Sequence, residues 1–317
     1  MSTSATPHQP TRIVIVGGVA GGMSCAARAR RLDESAEIIV LERGPHVSFA
    51  NCGLPYFVGG EITRPESLLV QTPDRLRAAL ALDVRPGHDV VGLDPDAKEL
   101  TVRIDGEVII VSYDALVLSP GAGAVMPQIE GIDSPRVRTL RTVDDAIALR
   151  DEVDAGAEKA VVLGAGFIGL EAAEALASRG LSTTVVQSGP HVLAPLDAEH
   201  AWLVHEELER IGVDVHVDTR ATRIERGPGH DVVVLSDGAR VSADLIVVAI
   251  GARPDTSVFA EAGVATENDA IVIDGHGRTS LPDVWAVGDA RFGEHRRVGP
   301  GADRHHDEVG AHACTVG

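Results

Sequence analysis

Two glycine-rich turns and one cysteine carry the residue types and spacings suited to chemistry. Gly17–Gly22 reads GGVAGG after the apolar run Thr11–Val16, and Gly164–Gly169 reads GAGFIG after Ala160–Leu163. A pyrophosphate needs close backbone approach, N–H donors and the positive end of a helix dipole, and a glycine turn opening a helix offers all three. In the first turn Gly17, Gly21 and Gly22 supply the space, with Gly18 and Ala20 among them. Val19 replaces the middle glycine of the G-x-G-x-x-G pattern. Glu42 follows Gly22 by about 20 residues, the spacing expected of a ribose-binding carboxylate at a strand end, and Arg43 comes next. The other reading of this turn is a tight strand–helix connection without a ligand. In the second turn Gly164, Gly166 and Gly169 keep the full pattern around Phe167 and Ile168, and Gln187 occupies the expected acidic position. A carboxylate at that position favours a free ribose 2′-hydroxyl and repels a 2′-phosphate. Neutral Gln187 can bond the hydroxyl and repels little, and no arginine adjoins it in sequence. The 2′-substituent therefore stays open, with a lean to the hydroxyl.

Cys52 sits in Ser48–Gly60, SFANCGLPYFVGG, with no second cysteine four or five residues away to make a redox dithiol. A lone cysteine is most often an inert core residue. Polar Ser48 and Asn51 before it, and Gly53 after it, point instead to an approachable thiol, whose thiolate is the useful form. Tyr56 beside it suits a general acid or packing equally. Cys25, among alanines on the first helix, reads as a packing residue. His295, His305, His306, His312 and Cys314 match no zinc spacing and read as a solvated tail, so no metal is expected.

An internal repeat positions these residues. Each copy is a strand, a glycine turn, a helix (to about Leu32 and about Ser178) and a second strand, Ile38–Leu41 or Ser182–Val186. That is the start of a parallel sheet. Val90–Leu93, Glu99–Ile104, Glu107–Ser112 and Ala115–Leu118 read as strands, and so do Asp214–Val217, Asp231–Leu235, Leu245–Ile250 and Ala270–Ile273. Asp105-Gly106 and Asp237-Gly238 mark turns. The expected fold is α/β, with two Rossmann-like dinucleotide-binding domains, parallel sheets and β-rich connections. Residues 11–120 plus 249–292 form the first domain, 121–248 the second, and 293–317 an irregular tail.

Composition narrows the class. The 317 residues carry 28 Lys and Arg against 47 Asp and Glu, a net charge of −19, which disfavours nucleic acid and acidic membrane surfaces as partners. No stretch approaches the roughly 18 apolar residues of a membrane helix. The opening MSTSATPHQPT lacks a secretory apolar core, and three scattered cysteines suit a reducing, cytoplasmic compartment. With aromatics at 3%, the cores must be built from Val, Ile, Leu and Ala.

Thr279–Ala290 reads TSLPDVWAVGDA, ending in Gly288-Asp289, where a carboxylate can hydrogen-bond the ribityl region of a flavin. With the first glycine turn it resembles the paired FAD motifs of the pyridine nucleotide–disulfide oxidoreductases. LVLSPG, carrying Ser119, Pro120 and Gly121, and VVAIGARP, carrying Gly251, resemble that family's strand-and-turn segments. SFANCGLPYFVGG, LLVQTPDRL from Leu68 and VRPGHDVVGLDP from Val84 are similar to its coenzyme A-disulfide reductase, persulfide reductase and NADH oxidase branch. The resemblance implies an enzyme in which Glu42 and Asp289 hold FAD and residues 164–169 hold NADH or NADPH. Cys52 is then the redox centre, lined by Ser48 and Asn51. It would cycle through a mixed disulfide or a sulfenic acid as electrons pass from NAD(P)H by way of FAD. Ala20 stands where peroxide-reducing members carry histidine, which favours a small-molecule disulfide or persulfide of the coenzyme A type as substrate. An NADH oxidase reducing oxygen, and a truncated nucleotide-binding flavoprotein with little turnover, are the alternatives. The family is homodimeric through a further C-terminal domain. The resemblance covers about residues 11–290, so that interface domain is expected to be missing.

Overall fold

Apolar runs flanked by helices bury both of their faces, and a side-chain period of two decides which neighbour each residue meets. The computed structural model describes residues 10–293, which divide into two units. In the first (up to Phe49, Leu69–Ala122 and from Pro254) five parallel strands lie in the order Val284–Ala286, Ala115–Leu118, Arg12–Val16, Glu37–Glu42, Asp83–Pro86. Ile13, Ile15, Ile38, Val40 and Val117 pack with Met23, Cys25, Ala26 and Ala29 of the Ala20–Leu32 helix. Val14, Val16, Ile39, Leu41, Leu116 and Leu118 pack with Leu100, Val102 and Val111. Those last three belong to an antiparallel sheet of Asp89–Asp94, Glu99–Ile104 and Glu107–Ser112. Its hairpin turns at Asp105-Gly106, with φ of 49° and 88°, the conformation for which Asp-Gly is selected. Each buried Val, Leu or Ile contributes about 1.5–3 kcal/mol.

The second unit (Ala50–Leu68 and Gly123–Arg253) repeats the plan. Its parallel order is Asp214–His216, Ser182–Val186, Lys159–Leu163, Leu245–Val248, Val137–Arg138. Val161, Leu163, Val186, Ile246 and Val248 pack with Ile224, Val233 and Leu235 of the antiparallel strands Ala221–Glu225, Asp231–Leu235 and Arg240–Ala243. The Val143–Asp154 helix opens on a capping box: Thr142 accepts from the Asp145 N–H, and Asp145 accepts from the Thr142 N–H.

The cysteine segment differs from its expected place. Residues 50–68, counted on sequence with the first domain, belong to the second unit. The Leu54–Gly59 helix buries Leu54, Phe57 and Val58 and packs on the Val143–Asp154 and Phe167–Ser178 helices. Arg150 donates to the carbonyls of Phe57 (3.1 Å) and Ile62 (2.8 Å), and Arg179 to that of Val58 (3.1 Å). Carbonyls that end a short helix need such donors, and here they come from residues remote in sequence.

Candidate functional site

Two turns of matched construction join the first strand of each unit to its first helix. A Cβ at Gly17 would overlap the Ser119 carbonyl oxygen, and one at Gly164 the Ala249 carbonyl oxygen. A Cβ at Gly22 would overlap the Gly17 carbonyl oxygen, and one at Gly169 that of Gly164. These four glycines are demanded by close packing of turn, helix and neighbouring strand.

Around the first turn the unit closes in. A Cβ at Gly21 would lie 2.8 Å from Ser119 Oγ and 3.1 Å from Gly288 Cα. The Gly288–Ala290 turn packs on the Ala20–Leu32 helix, with Asp289 exposed within it. Glu42 at the end of its strand is held by two backbone donors. Its Oε2 accepts from Gly18 N at 2.7 Å and its Oε1 from Gly44 N at 2.8 Å. A cleft of about 170 Å³ opens beside them, lined by Gly17, Glu42, Arg43 and Pro120, and by His88 and Phe259 among others. Arg43 bonds Asp255 across 2.5 Å at its rim. The sequence reading missed His88, Asp255 and Phe259 as lining residues. Two signals were available: VRPGHDVVGLDP contains His88, and Asp255 directly follows VVAIGARP. Gly121 follows the cleft's Pro120 with a φ of 72°. Ser48, with a φ of 48°, donates its N–H to the Gly18 carbonyl at 2.8 Å, so the structure brings it to this turn.

The second turn is more open. A Cβ at Gly166 would meet nothing within 4 Å, so no protein contact requires a glycine there. Phe167 and Ile168 stand 63% and 37% exposed, on the first turn of the helix. Gln187 accepts a hydrogen bond from Ala165 N at 3.1 Å through Oε1. Gly251 lies beyond the Leu245–Val248 strand, two residues after Ala249, whose carbonyl abuts Gly164.

Cys52 is exposed, in the one-turn helix Asn51–Gly53, with Asn51 exposed beside it. Packing within the unit gives Gly53 a reason for its small size. A Cβ there would stand 3.0 Å from Leu68 and 3.3 Å from Ile62, within the unit's own packing. Tyr56 is exposed, and Cys25 is buried in the first core. His295, His305, His306, His312 and Cys314 lie outside the described residues. No helix among the described residues is long and apolar enough to cross a membrane.

The chain is similar in sequence and fold to several known proteins. A coenzyme A disulfide reductase of Staphylococcus haemolyticus is 32% identical over 291 residues, covering 90% of this chain and 64% of that protein. The reduced CoADR-RHD of Bacillus anthracis superposes with a TM-score of 0.86 at 39% identity, covering 89% of this chain and 51% of that one. An NAD-dependent persulfide reductase from A. fulgidus gives 0.85 at 36%, covering 88% and 53%. The chain thus spans less than two thirds of the length of these relatives. The model of the pyridine nucleotide-disulphide oxidoreductases matches residues 11–305, and the chain belongs to that family.

Proposed function

We propose that this chain is part of an FAD-dependent NAD(P)H oxidoreductase that reduces a small disulfide or persulfide of the coenzyme A type at Cys52. The observation that carries the reading is the duplicated glycine turn, each copy beside a polar side chain at the end of the next strand. The first turn and its cleft suit FAD, since Gly17, Glu42, Arg43 and Pro120 line an opening beside a helix start that close packing of Gly21 on Ser119 and Gly288 keeps free of side chains. Gly17, Gly18, Gly21, Gly22, Glu42, Arg43, Ser119 and Asp289 are the residues that would hold it. The second turn suits NAD(P)H: Gly166 leaves room for a pyrophosphate, and Phe167 and Ile168 offer exposed apolar surface to a nucleotide. FAD, when bound, supplies two-electron transfer between a nicotinamide and a sulfur.

The chain's own residues do the rest. The Cys52 thiolate attacks one sulfur of the substrate, forming a Cys52–S–S bond and expelling the other sulfur as a thiolate or hydrosulfide. Two electrons then cleave the new bond, releasing the second thiolate and restoring Cys52. Arg150 and Arg179 hold the segment behind the cysteine, which fixes the sulfur's place on the surface of its unit.

The test is anaerobic titration of purified wild-type and Cys52→Ser protein with NADH and NADPH, followed by coenzyme A disulfide. Both proteins should be yellow and lose flavin absorbance on adding reduced nucleotide, and only the wild type should then reduce the disulfide. Full disulfide turnover by Cys52→Ser, or a colourless protein, overturns the reading.

A further inference from the structure

Each unit carries a three-stranded antiparallel sheet, and the free edges of the two sheets differ. In the second unit the outer strands are Ala221–Glu225 and Arg240–Ala243, where exposed Arg223 and Arg240 both bond Glu225. Charges along an edge deter pairing with another chain. In the first unit one edge, Asp89–Asp94, is bulged between Val90 and Gly92 and packs on the Ser257–Glu261 helix. The other edge, Glu107–Ser112, reads EVIIVS, with its one charge at the first residue. It pairs Glu99–Ile104 without a register shift, and among the described residues its outer side meets no strand. Val108, Ile109 and Ile110 stand 57%, 37% and 56% exposed in a row along it.

Opposed residues of an antiparallel pair share a face. Ile109 opposes fully buried Val102 and so belongs to the core face, whereas Val108 and Ile110 oppose Arg103 and Thr101 on the outer face. An unprotected edge with apolar side chains on both faces is built to take one more strand. The charge pattern says which strand. Antiparallel pairing of two copies about a twofold axis must match core face with core face, so the axis passes through Ile109 or Ile110. Glu107 then opposes Val111 or Tyr113 of the second copy, both uncharged, and the two Glu107 carboxylates lie at opposite ends of the ladder. Parallel pairing in register would set those carboxylates side by side and repel. The strand is therefore complementary to itself in the antiparallel sense alone.

We infer that Glu107–Ser112 is an interaction surface whose occupant is the same strand of a second copy of this chain, joined antiparallel so that the two sheets run on as one. The strand's 6 residues fall short of the roughly 20–30 a side of a stable interface, so the association is weak and depends on concentration. Sedimentation equilibrium of the purified chain from about 1 to 200 μM should show a reversible monomer–dimer equilibrium. Ile110→Lys, at an exposed outer-face position, brings two ammonium groups together near the axis and removes apolar contact. It should weaken the dimer more than about fivefold with an unchanged circular dichroism spectrum. Ile109→Cys and Ile110→Cys, each in Cys52→Ser protein, locate the axis. Whichever cysteine lies on it should oxidise to a disulfide between copies, identified by mass spectrometry as that peptide joined to itself. A chain that stays monomeric over this range, a dimer indifferent to Ile110→Lys, or the lack of a cross-link in both cysteine variants overturns the inference.

Discussion

A methyl group added at Gly21 would press on Ser119 and Gly288, whereas the matching position of the second turn carries a whole isoleucine side chain, Ile168, in the open. The position two residues earlier shows the reverse. The first turn accommodates Val19 there, half-buried, and the second keeps Gly166 although no protein atom lies near enough to require it. The glycines common to both turns, Gly17 with Gly164 and Gly22 with Gly169, serve the fold. The unshared ones differ by what surrounds the turn. An enclosed turn with a backbone-anchored carboxylate suits a ligand that stays. An open turn with exposed apolar flanks and a neutral amide suits one that comes and goes.

The largest effect should come from breaking the shared positions one at a time. Gly22→Ala and Gly169→Ala each force a Cβ into a carbonyl oxygen of the preceding turn. Overpacking of this kind costs about 1–3 kcal/mol and displaces the helix start. Gly22→Ala should purify without flavin. Gly169→Ala should stay yellow, yet NADH should no longer bleach its visible absorbance. The opposite distribution of colour would exchange the roles given to the two turns. A smaller effect is expected at Gly166, whose φ of −78° suits alanine. Gly166→Ala should melt within about 2 °C of the wild type and bind NAD⁺ roughly tenfold more weakly, as a methyl group displaces a phosphate and not protein. A large drop in melting temperature would show that the glycine is structural after all.

Sequence pattern carried the scaffold well and its long-range joins poorly. The strand–turn–helix–strand repeat was legible because each link is local: apolar runs, a glycine turn, an alanine-rich helix. Glu42 and Gln187 were legible because spacing along a strand fixes their place beside the turn. Which way Gln187 would turn its amide was not, since that depends on the N–H of Ala165, 22 residues away, to which its oxygen bonds. The Val143–Asp154 helix carried a readable capping signal at Thr142 and Asp145, and its buried positions, Val143, Ala146, Leu149 and Val153, recur at helical spacing. The transfer of residues 50–68 to the second unit was hidden for another reason. It is secured by Arg150 and Arg179, 88 to 121 residues from the carbonyls they bond, and no local pattern announces an arginine's distant partner.

The smallest expected effect concerns the rim of the first cleft, where Arg43 and Asp255 pair across 2.5 Å. Their side chains remain 50% and 38% exposed, so water and salt compete for both. Exposed pairs of this sort add little to stability. If enclosure of the first turn comes from Ser119, Gly288 and the backbone grip on Glu42, removing the rim charge should barely loosen the cofactor. Asp255→Asn keeps the side chain's shape and discards its charge. Its rate of flavin loss, followed by fluorescence after dilution, should rise less than about fivefold at low salt. The difference from wild type should vanish near 0.5 M salt, where the screening length falls to about 4 Å. A larger rise that survives high salt would mean that the ion pair itself closes the cleft. The contrast between the two turns would then rest on one side-chain latch, and moving an equivalent pair into the second unit should make its nucleotide slow to leave.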